Sequence, residues 1–147
     1  MSMDGSGEMT GDSTRCVHSS LDPEVTTGSV HTPIFQTSTY VQKDFSEHLG
    51  YEYARGDNPT RNALQRALAE MESPHQEAFG FCFGSGMAAI TTISQMLKQG
   101  DHVIACDDLY GGTVRLFDQI ASRFGIETTY SPLKNGDLAN IVRENSK

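Results

Sequence analysis

A chain of 147 residues with 37% hydrophobic content is long enough for one domain and apolar enough to form a core. The formal net charge of −8 at pH 7 argues against a nucleic acid or an anionic membrane as a partner, because both carry negative charge. No apolar run approaches the length of a membrane span, so we expect no membrane partner.

The three cysteines, Cys16, Cys82 and Cys106, are odd in number and widely spaced. They form neither a disulfide framework nor the ligand spacing of a zinc site, and the five histidines also show no ligand spacing. We therefore expect no metal site and a reducing compartment, which is the cytoplasm by default.

The first 58 residues show little regular periodicity. Residues 1–13 are mainly Gly, Ser, Asp and Met, so we expect a disordered lead. Residues 14–58 contain a β-prone stretch at 32–41 but no clear helix. An arm of this length with little secondary structure is uncommon inside a compact monomer. We therefore expect residues 14–58 to form an extended N-terminal arm that contacts a neighbouring subunit.

An amphipathic helix follows the arm. Asn58 and Pro59 suit the N-cap and the first position of a helix. Apolar residues at helical spacing continue to about Met71, and Ser73 with Pro74 predicts the end of the helix. Its outer face is predicted to carry mainly polar side chains: Arg61, Gln65, Arg66 and Glu70.

Residues 77–97 predict a strand that turns through glycines into a helix. The apolar run Glu77–Phe83 suits a buried strand, and Gly84-Ser85-Gly86 breaks it. Helical spacing then predicts a helix over Met87–Leu97, with Gly100 as its C′ residue. Such a helix start leaves backbone N–H groups without partners and adds positive potential. The turn is a candidate phosphate site, although many α/β domains make the same turn without a ligand.

The rest of the chain alternates strands with helices. We predict strands at His102–Cys106 and Ile126–Tyr130, a helix over Thr113–Phe124 that ends at Gly125, and a final helix over Asp137–Lys147. This alternation is typical of βαβ units with a parallel sheet, so the fold class is α/β. Three strands do not close a doubly wound sheet, and we expect a truncated one.

Two loops, Gly84–Met87 and Asp107–Thr113, follow the carboxyl ends of predicted strands, where open parallel sheets bind ligands. The second loop presents Tyr110, and the two glycines after it let the ring stand clear of the backbone. A flat cofactor ring beside a phosphate would suit both loops together. The alternative for Tyr110 is a half-buried loop tyrosine without a ligand.

Three segments carry a more specific pattern: Tyr53-Ala54-Arg55 with Asn58-Pro59-Thr60, Gly84-Ser85-Gly86-Met87-Ala88-Ala89, and Asp108-Leu109-Tyr110-Gly111-Gly112-Thr113. In this order and at these separations they resemble the Cys/Met-metabolism family of pyridoxal-phosphate (PLP) enzymes. The resemblance is closest to the cystathionine γ-lyase and γ-synthase type, and it does not separate these two. It implies an α/β chain that is the N-terminal part of the aspartate-aminotransferase-like (type I) fold, with residues 59–147 as the start of the PLP-binding large domain.

The resemblance also implies which residues bind the cofactor, pyridoxal 5′-phosphate. The backbone N–H groups of Gly86 and Met87, with Ser85 nearby, would hold its phosphate, and Tyr110 would stack on its pyridine ring. Gly112 lies where methionine γ-lyases tend to carry a cysteine, which disfavours that activity.

Tyr53 and Arg55 match family residues that reach across a dimer interface to the neighbour's cofactor phosphate. A dianionic phosphate favours a guanidinium and a phenol as donors, and this role would explain the extended arm. The alternative for Arg55 is a solvated surface arginine. Arg115 matches a family position that meets the substrate carboxylate in some members, and its alternative is an exposed helix arginine.

No catalytic residue is expected within these 147 residues. In the family a lysine forms a Schiff base with the cofactor, and the lysines here do not stand in the matching context: Lys43, Lys98, Lys134 and Lys147. The chain as given should therefore be inactive alone.

The full-length form is expected to be a cytoplasmic homo-oligomer, a dimer of dimers, that acts on small amino-acid substrates in transsulfuration. The expected reactions are γ-elimination from sulfur amino acids or γ-replacement on activated homoserine. One alternative is a catalytically incompetent truncated fragment that only assembles with full-length subunits. An unrelated nucleotide-binding α/β domain is another, but Gly84–Met87 lacks the lysine of a P-loop and the three-glycine dinucleotide pattern.

Overall fold

The computed structural model describes residues 12–19, 22–73, 76–134 and 137–147. Residues 1–11 of the predicted lead lie outside the described residues. The chain divides into two compact units, Met1–Cys82 and Phe83–Lys147. The predicted division into a lead, an arm and the start of a large domain stays a prediction. No helix in the described part of the chain is long and apolar enough to cross a membrane.

The first unit contains more regular structure than the arm was predicted to have. Helix α1 spans Asp12–His18, and strands β1, Gln42–Asp44, and β2, Glu47–His48, form a short antiparallel hairpin. The expectation that residues 14–58 contain no clear helix is therefore wrong. No apolar periodicity marks α1, and its Val17 is exposed, so the usual signal of a helix is missing from the sequence.

Helix α2, Pro59–Glu72, follows the local chemistry that the sequence predicts. The Asn58 backbone is extended, and its side-chain oxygen accepts hydrogen bonds from the N–H groups of Thr60 and Arg61, at 2.9 and 3.4 Å. The N–H of Ser73 donates to a carbonyl of the last turn. The predicted cap and helix are confirmed, while Pro74 of the predicted stop lies outside the described residues.

The second unit contains the parallel pair of strands. Its elements in chain order are α3 at Gly86–Ser94, β3 at His102–Cys106, α4 at Gly111–Arg115, β4 at Glu127–Ser131 and α5 at Asp137–Ile141. Strands β3 and β4 pair in parallel and in register over all five residues, so their carboxyl ends lie at the same edge. The predicted parallel pairing is confirmed for these two strands.

Helix α4 continues without a break toward β4. A π-helical turn at Leu116–Ile120 and a 3-10 turn at Ala121–Phe124 follow it, and Gly125 ends the segment with φ +75°. The predicted glycine stop is confirmed, although the helical segment begins at Gly111 rather than Thr113. The buried core of the unit consists of Phe117, Ala121 and Ile126, with Leu97 and Val103 packed against it.

The strand predicted at Glu77–Phe83 does not form. The segment is extended, but Phe79 and Phe81 are 77% and 76% exposed, and the Cys82 N–H donates to the Gln65 side chain at 2.9 Å instead of to a neighbouring strand. A strand needs a neighbour for its ladder, and within the described residues no strand pairs with this segment. The sequence pattern predicts that this segment is extended. A β-strand also requires backbone hydrogen bonds to a neighbouring strand, which the pattern does not predict.

The helix predicted over Met87–Leu97 is shifted and shorter, because α3 ends at Ser94. The hydroxyls of Thr92 and Ser94 donate back to carbonyls one turn earlier, which competes with further helix. Gly100 has φ +89° but lies too far beyond the helix end to be its C′ residue. Its N–H instead donates to the Gly125 carbonyl at 2.9 Å, just before β3.

The final helix is also shorter than predicted, since α5 ends at Ile141. Residues 145–147 instead lie along the free edge of β3. The His102 N–H donates to the Asn145 carbonyl at 2.9 Å, and the Lys147 N–H donates to the His102 carbonyl at 3.0 Å. These ladder hydrogen bonds replace the helical ones that the sequence pattern predicts.

The His102 side chain is completely buried and joins this tail to the sheet. Its Nδ1 lies 2.8 Å from Ser146 Oγ, and its Nε2 lies 2.8 Å from Thr129 Oγ1. Arg143 donates to the same Thr129 hydroxyl at 3.2 Å and pairs with Glu127 at 2.6 Å. Burial, with the nearby Arg143 charge, lowers the pKa of His102 from its ordinary value of 6.5, against a smaller opposing effect of Glu127. The folded protein therefore holds His102 neutral.

We predict that His102 makes its whole contribution to the free energy of unfolding above pH 6.5, the ordinary His pKa. This contribution is lost as the pH falls from 6.5 toward the lower pKa of folded His102. The reason is that the unfolded chain binds a proton that the folded chain resists. His102→Ala should remove this pH dependence and cost about 1–3 kcal/mol at neutral pH, because it removes the buried imidazole together with its hydrogen bonds to Ser146 and Thr129.

Urea unfolding at several pH values measures this effect, with His31→Ala, an exposed histidine, as the control. An unchanged pH dependence in His102→Ala would contradict the assignment.

Candidate functional site

The start of helix α3 leaves two backbone donors available. The Ser85 backbone is extended, its hydroxyl accepts from the Ala88 N–H at 3.1 Å, and its carbonyl accepts from the Ala89 N–H at 3.2 Å. Within the described chain, the N–H groups of Gly86 and Met87 have no acceptor. The first turn therefore offers adjacent donors together with the positive end of the helix dipole.

The backbone before this helix is open on the outside. A Cβ added at Gly84 or at Gly86 would meet no heavy atom within 4 Å. A ligand can therefore approach the main chain closely on this side, which is what an anion bound to backbone N–H groups requires.

Tyr110 immediately precedes helix α4 and is 72% exposed. Its carbonyl accepts from the Thr113 N–H at 2.9 Å, so the start of α4 fixes its backbone. The ring lies close to the Met87 side chain at the start of α3. A Cβ added at Gly112 would lie 2.6 Å from Tyr110 Cε1 and 3.0 Å from Met87 Sδ, so both atoms border the same small space. The Tyr110 ring and the Met87 side chain therefore lie close to each other, and their role in one cofactor site stays a prediction.

Thr113 makes a second contact between the start of α4 and the start of α3. Its side chain is buried, and its hydroxyl donates to Met87 Sδ at 3.7 Å. This contact could not be predicted from the sequence, because no spacing rule links a threonine to a methionine 26 residues earlier. Gly112 has a comparable role, since its missing side chain leaves the space that the Tyr110 ring occupies.

Arg115 ends helix α4 and is exposed. It forms no ion pair within the described residues, and its Nη1 lies 3.5 Å from the point where a Gly111 Cβ would stand. The guanidinium therefore folds back along the first turn of the helix that follows Tyr110. This position leaves its charge available to a solute.

Tyr53 and Arg55 belong to the first unit. The Arg55 Cζ lies 4.9 Å from the centre of the Tyr53 ring, a cation–π contact, and the Tyr53 side chain is 43% exposed. A surface hollow of about 400 Å³ surrounds the pair. Its lining consists of His48, Gly50, Tyr51, Glu52, Tyr53, Arg55, Gly56 and Asp57.

A backbone framework holds this pair in place. The N–H groups of Gly56 and Asp57 both donate to the Tyr53 carbonyl at 3.0 Å, and the Ala54 N–H donates to the Ser38 carbonyl at 2.8 Å. The phenol and the guanidinium are thus presented together by one tight turn.

A family model described as Cys/Met metabolism PLP-dependent enzyme matches residues 13–147. A probable cystathionine gamma-synthase of Herpetosiphon aurantiacus is 51% identical over 116 residues, which are 79% of this chain and 35% of that protein. A cystathionine beta-lyase of Coxiella burnetii is 49% identical over 110 residues, which are 75% of this chain and 28% of that protein.

Solved structures show the same likeness. The structure of a cystathionine gamma-lyase from Lactobacillus plantarum, complexed with L-serine, matches with a TM-score of 0.81 at 35% identity, over 94% of this chain and 35% of that one. The chain therefore spans about a third of the length of these relatives.

We predict that Gly112→Ala displaces the Tyr110 ring from Met87, because the new Cβ would lie 2.6 Å from Tyr110 Cε1. The ring is the free end of an exposed side chain, so it should swing away rather than unfold the helix. The measurement is the NMR shift of the Tyr110 ring protons and of the Met87 methyl group.

Gly111→Ala is the matched control, since its Cβ would make only an ordinary contact of 3.5 Å with Arg115. Both substitutions favour helix by a similar amount. Equal shifts in the two variants, or none in Gly112→Ala, would contradict the ring position.

Proposed function

Because the chain belongs to the Cys/Met metabolism PLP-dependent enzyme family, we propose that the full-length protein is a transsulfuration enzyme of the cystathionine γ-lyase or γ-synthase type. It carries out γ-elimination from sulfur amino acids or γ-replacement on activated homoserine. The family consists of enzymes that use PLP, and its lyases and synthases include the relatives described above.

The fold agrees with this membership. The match to the Lactobacillus plantarum structure confirms the predicted α/β class, the N-terminal part of the aspartate-aminotransferase-like fold.

The observation that carries the proposal is the pair of free N–H groups at Gly86 and Met87, with the Tyr110 ring against the Met87 side chain. PLP fits these residues, because a dianionic phosphate needs converging donors and its flat ring needs an aromatic face. In our proposal Gly86 and Met87 donate to the phosphate, Ser85 caps the helix beside it, and Tyr110 stacks on the ring. The bound cofactor supplies an electron-accepting ring for the reaction.

We assign Tyr53 and Arg55 to the cofactor phosphate of a neighbouring subunit, which requires at least a dimer, and we propose that the full-length homo-oligomer is a dimer of dimers. Two observations support this role. The guanidinium is held over the phenol ring, and the pair faces a surface hollow. A guanidinium and a phenol then donate to one anion from the same turn.

Arg115 is our proposed partner for the substrate carboxylate. It is exposed, it carries no ion pair within the described residues, and it lies one helical turn beyond Tyr110. We place the enzyme in the cytoplasm on the basis of Cys16, Cys82 and Cys106, which are all free thiols.

Catalysis requires a lysine that these 147 residues do not supply, so we propose that the 147-residue chain is inactive alone. Lys43 pairs with Glu47 at 3.5 Å in the hairpin, and none of the four lysines stands in the sequence context of the family's Schiff-base lysine. The alternative, a fragment that only assembles with full-length subunits, predicts the same inactivity. The full-length protein distinguishes the two.

We predict that borohydride reduction of the 147-residue chain with PLP gives no stoichiometric adduct on a single lysine. The reason is that no lysine is placed to form a specific Schiff base. Peptide mapping by mass spectrometry measures this, and the full-length protein should give one stoichiometric adduct as the control. A single fully modified lysine in the 147-residue chain would disprove the assignment.

We predict that the purified full-length protein binds PLP and turns over cystathionine or an activated homoserine. Tyr110→Ala should raise the Kd for PLP by about twofold to twelvefold, because an aromatic contact contributes about 0.5–1.5 kcal/mol. Absorbance titration of the apoprotein measures the Kd, and release of thiol measures turnover.

Phe124→Ala is the control, since Phe124 is an aromatic residue of the same unit with a similar exposure of 67% against 72% for Tyr110. A full-length protein that binds no PLP, or equal effects of the two substitutions, would overturn the proposed site.

A further inference from the structure

Arg61 connects helix α2 to the turn that carries Tyr53 and Arg55. Its Nη1 donates to the Ala54 carbonyl at 3.0 Å, and its Nη2 donates to the Gly56 carbonyl at 2.7 Å. These carbonyls belong to the residues on either side of Arg55. A single guanidinium therefore holds the Ala54–Arg55 peptide group, directly before the proposed phosphate-binding arginine, and the Gly56–Asp57 peptide group just after it.

The geometry suits a planar fork in particular. Two donors of one guanidinium reach two acceptors two residues apart, which a lysine ammonium on a flexible stem cannot reproduce with the same orientation. The Arg61 side chain is 31% exposed, so these hydrogen bonds are partly shielded from water. Its two hydrogen bonds commit the guanidinium to the turn, and Arg61 is therefore not itself a ligand for an anion in the hollow.

The base from which Arg61 reaches is rigid. Arg61 lies in the first turn of α2, where the Asn58 side chain accepts a hydrogen bond from its N–H. The hydroxyl of the neighbouring Thr60 donates to the Pro33 carbonyl and accepts from the Phe35 N–H, both at 2.9 Å. The arm is thus tied to the same helix turn from the other side. The position of Arg55 follows from α2 rather than from the arm alone.

A cation in the first turn of a helix is electrostatically unfavourable, because the helix N-terminus is already positive. Helix α2 has no acidic residue in its first turn to offset this. The sequence therefore carries Arg61 at a position that helix stability alone disfavours, and the two carbonyl contacts give a physical reason for its presence there.

Arg61 also faces the one carboxylate of the turn. Asp57 Oδ1 lies 4.0 Å from Arg61 Nη2, and the Asp57 side chain is 51% exposed. Asp57 is only two residues from Arg55. Without Arg61, the Asp57 carboxylate would have no other cation of the described residues within 4.0 Å and could attract the Arg55 guanidinium. The Arg61 charge therefore helps to keep the Arg55 guanidinium available to an external anion.

We propose that Arg61 is a positioning residue that orients Arg55 and Tyr53 for the cofactor phosphate of the neighbouring subunit. This inference rests on the proposed function, since it needs Arg55 to contact that phosphate. The proposed role of Arg61 affects only the binding of the phosphate, because the cofactor ring is assigned to Tyr110. The effect of losing Arg61 should therefore be specific to ligands that carry a phosphate.

The test compares two ligands on the full-length apoprotein. The Kd values for PLP and for pyridoxal, which lacks the phosphate, give a selectivity ratio for the phosphate group. We expect Arg61→Gln to lower this ratio about tenfold and Arg61→Lys to lower it less, because an ammonium retains the charge but holds the two carbonyls less well. Arg66→Gln, an exposed arginine of the same helix, should leave the ratio unchanged.

The double variant shows whether Arg61 acts through Arg55. If it does, Arg55→Gln combined with Arg61→Gln should have no larger effect on the ratio than Arg55→Gln alone. Additive effects, or a loss of affinity for both ligands by the same factor in Arg61→Gln, would overturn the inference and leave a purely structural role. Circular dichroism checks the fold, and Arg61→Lys provides the comparison if Arg61→Gln does not fold.

The outcomes separate the two claims. A ratio lowered by Arg55→Gln but unchanged by Arg61→Gln overturns only the role of Arg61. A ratio unchanged by Arg55→Gln overturns the phosphate role of Arg55 and, with it, this inference.

Discussion

Two backbone N–H groups without acceptors are the feature on which the candidate site depends. Any helix leaves donors at its first turn, but here Ser85 satisfies only those of Ala88 and Ala89. The donors of Gly86 and Met87 remain, on the side where no Cβ limits approach. A doubly charged phosphoryl group is the ligand that this arrangement and the helix dipole favour most strongly.

The loop that follows strand β3 places the aromatic ring of Tyr110 near the Met87 side chain. Strand β3 ends at Cys106, and the loop beyond it places Tyr110 at the start of α4. The contacts among Tyr110, Met87 and Thr113 then join the two helix starts of the second unit. The first unit contributes a separate group, in which α2 and its Arg61 support the turn that presents Tyr53 and Arg55.

Local chemistry could be predicted from the sequence, and contacts between distant segments could not. Asn58 and Pro59 marked the start of α2, and Gly125 marked the end of the segment before β4, because caps depend on a few adjacent residues. The run at 77–83 reads as a strand, but its ladder depends on a partner that the described residues lack. Arg61 read as an outer-face arginine, since periodicity gives the direction of a side chain and not the carbonyls that it reaches.

The central claim is that the N–H groups of Gly86 and Met87 bind the phosphate of PLP. Its most direct test is the amide 1H–15N spectrum of the full-length apoprotein, selectively labelled at Gly, Met and Ala, during titration with PLP and then with pyridoxal. The account predicts large downfield shifts of the Gly86 and Met87 amides with PLP and small ones with pyridoxal, while the already bonded Ala88 and Ala89 amides change little. Gly86 and Met87 amides that respond equally to both ligands, or to neither, would contradict it.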